Sequence, residues 1–459
     1  MSAKSISEQL AGFVTDMRYP DLPKAVQDHT RLLVLDALGC GLVGAMTPEV
    51  AILRRAIGAM SGGGGDSLLW GTNEKSPLPL AAMANGAAVH MREIDDFSLA
   101  YHAGAVVVPA AIGVAAAVGT SGAELLTAVA AGYEVSFRVA QGGAKEGEPG
   151  FLPFKKKGWH STSLFGPFGA AVAAAKLLGL DEGRMVCAIG LAGSAASGTW
   201  AFNAESSTNK RVHPGLASKS GIVAAYLARE GITGPSRLFE AEWGGFYATH
   251  LQGERWYPDH VTGGLGSDWQ ILHAGFKPHA ACRRIHSSLD AVFAAVKKHG
   301  VRAERVARIT VRGNHLHKLQ LSRFPVNSVL QAQFSLPYTI AAALISGSTG
   351  LDQFTEKAIR RAEIAPLAQK VSIEVDEGLP EFSEPTLMFE LTDGRRLEET
   401  VPVPWGHPCN PVCREDLVKK LAANARLALP QEKADALLAQ LLDLQNLRDL
   451  STVMRLLSP

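Results

Sequence analysis

Neither sign of charge prevails in this chain: 45 Lys and Arg stand against 44 Asp and Glu over 459 residues, a formal net charge of +1. That balance supplies no global basic field for a nucleic-acid backbone and no acidic excess, so any charge selectivity is local. Cysteine is scarce. The five (Cys40, Cys187, Cys282, Cys409 and Cys413) are an odd number without framework spacing, which argues against a disulfide scaffold and for reduced thiols. Cys409 and Cys413 have no third neighbour, whereas an iron–sulfur cluster takes about three or four cysteine ligands. Long hydrophobic runs are missing too. The longest, Ala103 to Gly119, is rich in Ala and Gly, contains Pro109 and is only marginally long enough for a bilayer; it reads as a helix buried all round, with no membrane association expected. The N-terminal stretch MSAKSISEQLAGFVTDMRYPDL lacks an apolar core and a small-residue cleavage site, and with no targeting signal visible the expected location is the cytoplasm.

What the chain does contain is small residues at helical spacing. With 47% hydrophobic residues it is long enough for two domains and a large core. From about Ser5 to Gly234 the pattern is helix after helix, as in Gly122 to Ala140, Ser163 to Leu180 and Gly215 to Glu230, with small residues on several faces that imply close helix–helix packing. Near residue 300 the pattern changes. Arg305 to Asn314 and Lys370 to Asp376 alternate β-branched with polar residues, and Thr386 to Val401 reads as a hairpin turning at Asp393-Gly394. Helical periodicity returns from Arg414 to about Leu457. The fold expected is mainly α: a large all-helical domain over residues 1–270, completed by C-terminal helices over 405–459, plus a smaller α+β lid domain over 271–404. The run Gly62 to Gly65 has no following Gly-Lys-Ser/Thr and reads as a turn, not a phosphate loop. Lys155-Lys156-Lys157 reads as a solvated loop, rimming the cavity at most.

Three segments break the apolar pattern with ionisable residues. The first holds Asn85, His90, Glu93, Asp95, Asp96, Ser98 and His102, groups costly to desolvate unless chemistry holds them beside a cavity. Its spacing fits no compact ligand set and the adjacent carboxylates point apart, so no metal is expected; a carboxylate orienting a histidine for proton transfer is the reading preferred over a purely structural polar network. The second is Gly158-Trp159-His160-Ser161-Thr162, a histidine at a helix start, where unpaired N–H groups suit a substrate carboxylate. The third, Asn209 to Gly215, places Lys210, Arg211 and His213 ahead of a small-residue helix, and Lys277 to His286 repeats the cationic theme with Cys282 and Arg283. Cations on both sides of a cleft suit a small polyanion. Cys282 with His286 four residues on lacks an orienting third group for covalent catalysis. Tyr338 opens another Ala-rich helix, its hydroxyl within possible reach of the cleft.

In order, ANGAAVHMREIDD, GWHSTSLFGPFGAA, TNKRVHPGLASKSG, FKPHAACRRIHSSLDA, QFSLPYTIAAAL and GHPCNPV resemble the MmgE/PrpD family, which includes 2-methylcitrate dehydratase, cis-aconitate decarboxylase and iminodisuccinate epimerase. The resemblance spans nearly the whole chain. It implies a homodimer, an active site between helical domain and lid, and no organic cofactor. Carried over, the catalytic set is Asp95, Asp96, His102, His160, Lys210, Lys277 and Tyr338, with His213, Cys282 and Arg283 at further family positions; these three, together with Ser98 and Arg211 from the reading of the clusters themselves, are expected to bind substrate. Glu93 and Ala103 depart from the family's D-x-D-D and H-P. The activity implied is proton transfer beside a carboxylate of a small di- or tricarboxylic acid by a cofactor-independent lyase. A 2-methylcitrate dehydratase-like hydro-lyase is favoured, with decarboxylase and epimerase as alternatives. A non-catalytic dimeric binder of acidic metabolites is the rival from another class.

Overall fold

Small residues decide how the helices meet. In the computed structural model, which describes residues 4–98, 101–205 and 207–459, the helices Lys24–Ala45, Leu78–His90, Gly104–Val118, Gly122–Gln141, Ser161–Leu177 and Asn209–Arg229 pack on one another. Met1–Ala3, the start of the N-terminal stretch read above, lie outside the described residues. A Cβ on Gly215 would stand 2.0 Å from the Met83 carbonyl oxygen, and one on Gly44 would stand 1.8 Å from that of Ala88. Only glycine allows backbones so close, and the first of these contacts fixes Asn209–Arg229 against Leu78–His90. Their ends carry Lys210 and His90.

The Ala103–Gly119 run forms the buried helix Gly104–Val118 with Pro109 inside it. One boundary shifts with consequence. The helix expected to start at Gly215 starts at Asn209, so Lys210, Arg211 and His213 sit inside its first turns and Pro214 lies within it. Burial of those three side chains against neighbouring helices overrides the local breaker.

The β-rich part forms a four-stranded sheet. Val306–Gly313 pairs parallel with Val371–Val375 and antiparallel with Thr386–Leu391, which turns through Asp393-Gly394 into Arg396–Thr400; Gly394 takes the positive φ of 87° that the turn requires. Leu387, Phe389 and Leu391 alternate inward, covered by the helix His286–His299. Beyond it, Arg414–Ala428 returns to Lys24–Ala45, its Leu421 packed where Gly39 has no side chain. The architecture is thus mainly α. Among the described residues no single helix is long and apolar enough to cross a membrane.

Candidate active site

Leu78–His90 ends in a buried loop that turns through Glu93, a non-glycine residue held at φ 54°. A left-handed conformation of this kind costs about 1 kcal/mol or more and persists where surrounding contacts dictate it. Here they are two ammonium groups. Lys210 donates to Glu93 Oε1 and, at 2.9 Å, to His90 Nε2. Lys277 donates to Glu93 Oε2 at 3.1 Å and to Asp95 Oδ1 at 3.4 Å. Asp95 Oδ2 accepts from His90 Nδ1 at 2.7 Å. All five side chains are buried. Burial pushes the Glu93 and Asp95 carboxyls up, but their partners win, the Lys210 and Lys277 charges for Glu93, and the His90 N–H with the Lys277 charge for Asp95; both carboxyls are held below the usual carboxylate range. Burial likewise opposes the Lys277 charge, and Glu93 and Asp95 more than restore it. Two cations and two anions close on each other.

The loop and Lys277 are tied down from elsewhere in the fold. Phe97 and Gly275 exchange backbone hydrogen bonds at 2.9 and 2.7 Å. Lys420, on the returning C-terminal helix, pairs with buried Asp36 at 2.7 Å and donates to the carbonyls of Ile94 and of Lys277.

Two histidines face the cavity beside this cluster, and their partners set different tautomers. His102 Nδ1 lies 2.8 Å from the Asp96 carbonyl oxygen, which only accepts; Nδ1 therefore carries the proton and Nε2 is bare. Burial, then the Lys277 charge, push this imidazole down to about 3, so it is neutral at physiological pH. His160, the N-cap of Ser161–Leu177, is wired the opposite way. The Ser207 hydroxyl on Asn209 Oδ1 orients that amide, Asn209 Nδ2 donates to His213 Nε2 at 3.5 Å, and His213 Nδ1 meets His160 Nδ1 at 2.9 Å. His213 is then the donor, and the His160 proton resides on Nε2. Burial, then the neighbouring His213, hold His160 well below its usual range. One imidazole accepts where the other donates.

The cavity holding them, about 120 Å³, is also lined by Glu93, Ser98, Lys155, Lys210, Cys282, Arg283 and Arg284. A larger one, about 730 Å³ beside Trp70, Pro109 and Arg455, has no histidine in its wall. Ligand atoms of His90, Asp95 and His102 lie within 4.8 Å of one another, the one such trio among the described residues. Lys210 and Lys277 already stand against His90 and Asp95, so a divalent ion there would meet two ammonium charges. The donor set fits a charge-paired network better than a metal.

The predicted residues divide accordingly. Asp95, His102, His160, Lys210 and Lys277 converge, and Ser98, Cys282 and Arg283 reach the same cavity. Asp96 does not act there: it accepts from the Gly104 N–H at 2.9 Å and the Tyr133 hydroxyl at 3.0 Å, and burial with the Asp95 charge beside it pushes its carboxyl well up. Arg211 turns to Gln333 at 2.7 Å, and His213 stands behind His160. Tyr338 is buried with its hydroxyl on the Gln353 carbonyl at 2.6 Å, outside the cavity lining. Arg283 is paired with Glu384 at 3.0 Å and lies over the Phe97 ring. His286 donates to the Ala281 carbonyl, not to Cys282. Conversely, Lys155 is no solvated loop residue. It belongs to the short helix Leu152–Lys156 and stands 4.9 Å from the Trp200 ring centroid. His90, Glu93, Lys155 and Lys420 went unassigned by sequence reasoning; the density of ionisable residues flagged His90 and Glu93, whereas nothing local marks Lys420.

Fold and cluster together define a mainly helical protein with a buried acid–base network and a small cationic pocket. Comparison with known proteins sharpens that class: the MmgE/PrpD N-terminal domain matches residues 8–259 and the MmgE/PrpD C-terminal domain residues 279–444, and the chain belongs to the MmgE/PrpD family. It is 31% identical to human cis-aconitate decarboxylase, over 100% of this chain and 95% of that protein. It is 29% identical to the cis-aconitate decarboxylase-like protein oryM of Aspergillus oryzae, over 99% and 97% of the two chains, and 26% identical to the cis-aconitate decarboxylase of Aspergillus terreus, over 100% and 97%.

Proposed function

We propose that this chain is a lyase that decarboxylates a small unsaturated tricarboxylic acid of the cis-aconitate type. Full-length similarity to decarboxylases of that name supports the substrate class. The observation that carries the chemistry is the pairing of a donor imidazole, His160, with a buried ammonium, Lys210, at one cavity. In the step proposed, the C–C pair of the departing carboxylate becomes a new C=C bond as carbon dioxide leaves, and the original π pair shifts onto the far alkene carbon. Charge then collects next to a remaining carboxylate, where His160 Nε2–H donates to the developing oxyanion. Lys210 gives its proton to the carbanion-like carbon and recovers one from solvent. A neutral imidazole suits the donor role, since it binds the oxyanion without protonating it fully.

A second reading, water loss by a hydro-lyase, rests on His102. Its bare Nε2 is an acceptor that decarboxylation does not consume and that abstraction of a proton beside a carboxylate requires. In both readings residues 271–404 act as a lid over the helical domain of 1–270 and 405–459, two chains assemble as a homodimer, and the enzyme works in the cytoplasm without an organic cofactor. The test is incubation of the full chain with cis-aconitate, citrate and 2-methylcitrate in deuterated water, followed by NMR and by carbon dioxide release. Carbon dioxide with one deuterium incorporated from solvent is expected from cis-aconitate. Water loss from a hydroxy acid without carbon dioxide selects the second reading, and binding with no turnover of any acid overturns both.

A further inference from the structure

Charge pairing within the cavity singles out two cations. Lys210 and Lys277 are matched by Glu93 and Asp95, and Arg283 by Glu384. Lys155 and Arg284 line the same cavity with no such ion pair among the described residues. No carboxylate among the described residues pairs with Lys155, whose ammonium lies 4.9 and 5.8 Å from the centroids of Trp200 and Phe151. Arg284 spends one terminal nitrogen on uncharged oxygens, Asn314 Oδ1 at 3.2 Å and the Glu381 carbonyl at 3.0 Å, and its Nε is buried with no partner. Burial, then the Arg284 charge, press the Lys155 ammonium down to about 7 against the opposing pull of Glu381, whose carboxylate pairs with Lys156 at 3.6 Å and not with Lys155.

We infer that Lys155 and Arg284 form an anion subsite for one carboxylate of a tricarboxylate substrate, making Lys155 a specificity-determining residue for acids with a third carboxylate. The inference rests on the reading that the chain acts on polycarboxylic acids. A carboxylate bridging the two cations answers the orphaned Nε and the unmatched charge together, and the aromatic walls of Phe151 and Trp200 keep water from competing. The opposite end of the substrate meets His102, His160 and Lys210.

The test is calorimetric binding of unreactive acids to the full chain, propane-1,2,3-tricarboxylate against glutarate, for the parent, Lys155→Met and Arg284→Lys. The Lys155 ammonium makes no hydrogen bond among the described residues and the backbone bonds of Lys155 are untouched by the substitution, so Lys155→Met removes charge without breaking the fold. Loss of one charge-assisted contact is expected to weaken the tricarboxylate about tenfold or more in Lys155→Met and less in Arg284→Lys, with glutarate changed by about twofold at most. Unchanged tricarboxylate affinity, or equal losses for both acids, overturns the subsite. A parent that binds the tricarboxylate but turns over no acid sinks the proposed reaction and leaves the subsite standing; a variant that turns over substrate and binds the tricarboxylate like the parent sinks the subsite alone.

Discussion

Glu93→Gln removes one negative charge while keeping the side chain's length and the same left-handed backbone. In the parent, Glu93 stands between Lys210 and Lys277. Asp95 still pairs with Lys277 at 3.4 Å in the variant, but Lys210 is left with a neutral imidazole and the Phe334 ring. At the 3.1 Å contact to Lys277, an effective dielectric near 20 gives a gross attraction of about 5 kcal/mol. Breaking a buried pair by removing one partner costs about 3–5 kcal/mol net, because an uncompensated charge stays behind. The expected loss of stability at pH 7 is in that range, read from urea midpoints at unchanged slope.

The pH dependence is the sharper check. The folded Glu93 carboxyl lies below its unfolded value, so its contribution is fully present above the ordinary glutamate range and lost only as pH falls through the depressed folded value. Lys277 is raised, so its contribution is present below the ordinary lysine range and lost only as pH rises beyond it. Parent stability from these groups is therefore flat between about pH 6 and 9. In the variant the unfolded chain holds more protons than the strained cluster, and stability rises with pH over the same window. The gap between the two proteins should narrow from pH 7 toward pH 9.5. A gap under about 1 kcal/mol at pH 7, or one that widens with pH, refutes the charge-pairing argument.

His160→Gln should lower kcat by about a hundredfold or more; His102→Gln should do so, with solvent-deuterium exchange at carbon abolished, if the hydro-lyase reading is right. For the parent, kcat/KM should fall as pH rises through about 7, since a substrate carboxylate binds the protonated Lys155; Arg284, Cys282 and Glu381 are the charged or titratable groups acting on it, and a profile unchanged by Lys155→Met rules this out. Lys420→Met should leave Asp36 buried and unpaired, costing about 3–5 kcal/mol, and should lower kcat more than it raises KM, because Ile94 and Lys277 lose their shared anchor. Gly215→Ala drives a methyl into the Met83 carbonyl and should cost about 1–3 kcal/mol in urea unfolding; a neutral effect would show that the helices separate freely.

Much of the site was legible because ionisable residues are rare inside small-residue helices. His102, His160, Lys210 and Lys277 stand out against apolar surroundings, and the structure brings them together. Asp95 and Asp96 look alike in sequence yet diverge, one into the charge cluster and one into the start of Gly104–Val118, because adjacent side chains leave a loop in different directions. Lys155 looked solvated beside Lys156 and Lys157, but only those two pair with surface acids, Glu381 and Glu254.

Composition, the spacing of small residues and the switch to alternating β-branched segments determined a mainly helical protein with one sheet-bearing part, and its ordered motifs determined the family. Periodicity records which face of an element is apolar, and that information is local. The identity of each ion pair is not: Glu93 and Lys210 are 117 positions apart, and Lys277 is 184 from Glu93. Which carboxylate neutralises which lysine, which nitrogen of each histidine keeps its proton, and which cations are left over for a ligand depend on distances of a few ångströms between separate helices, and only close packing in three dimensions sets those.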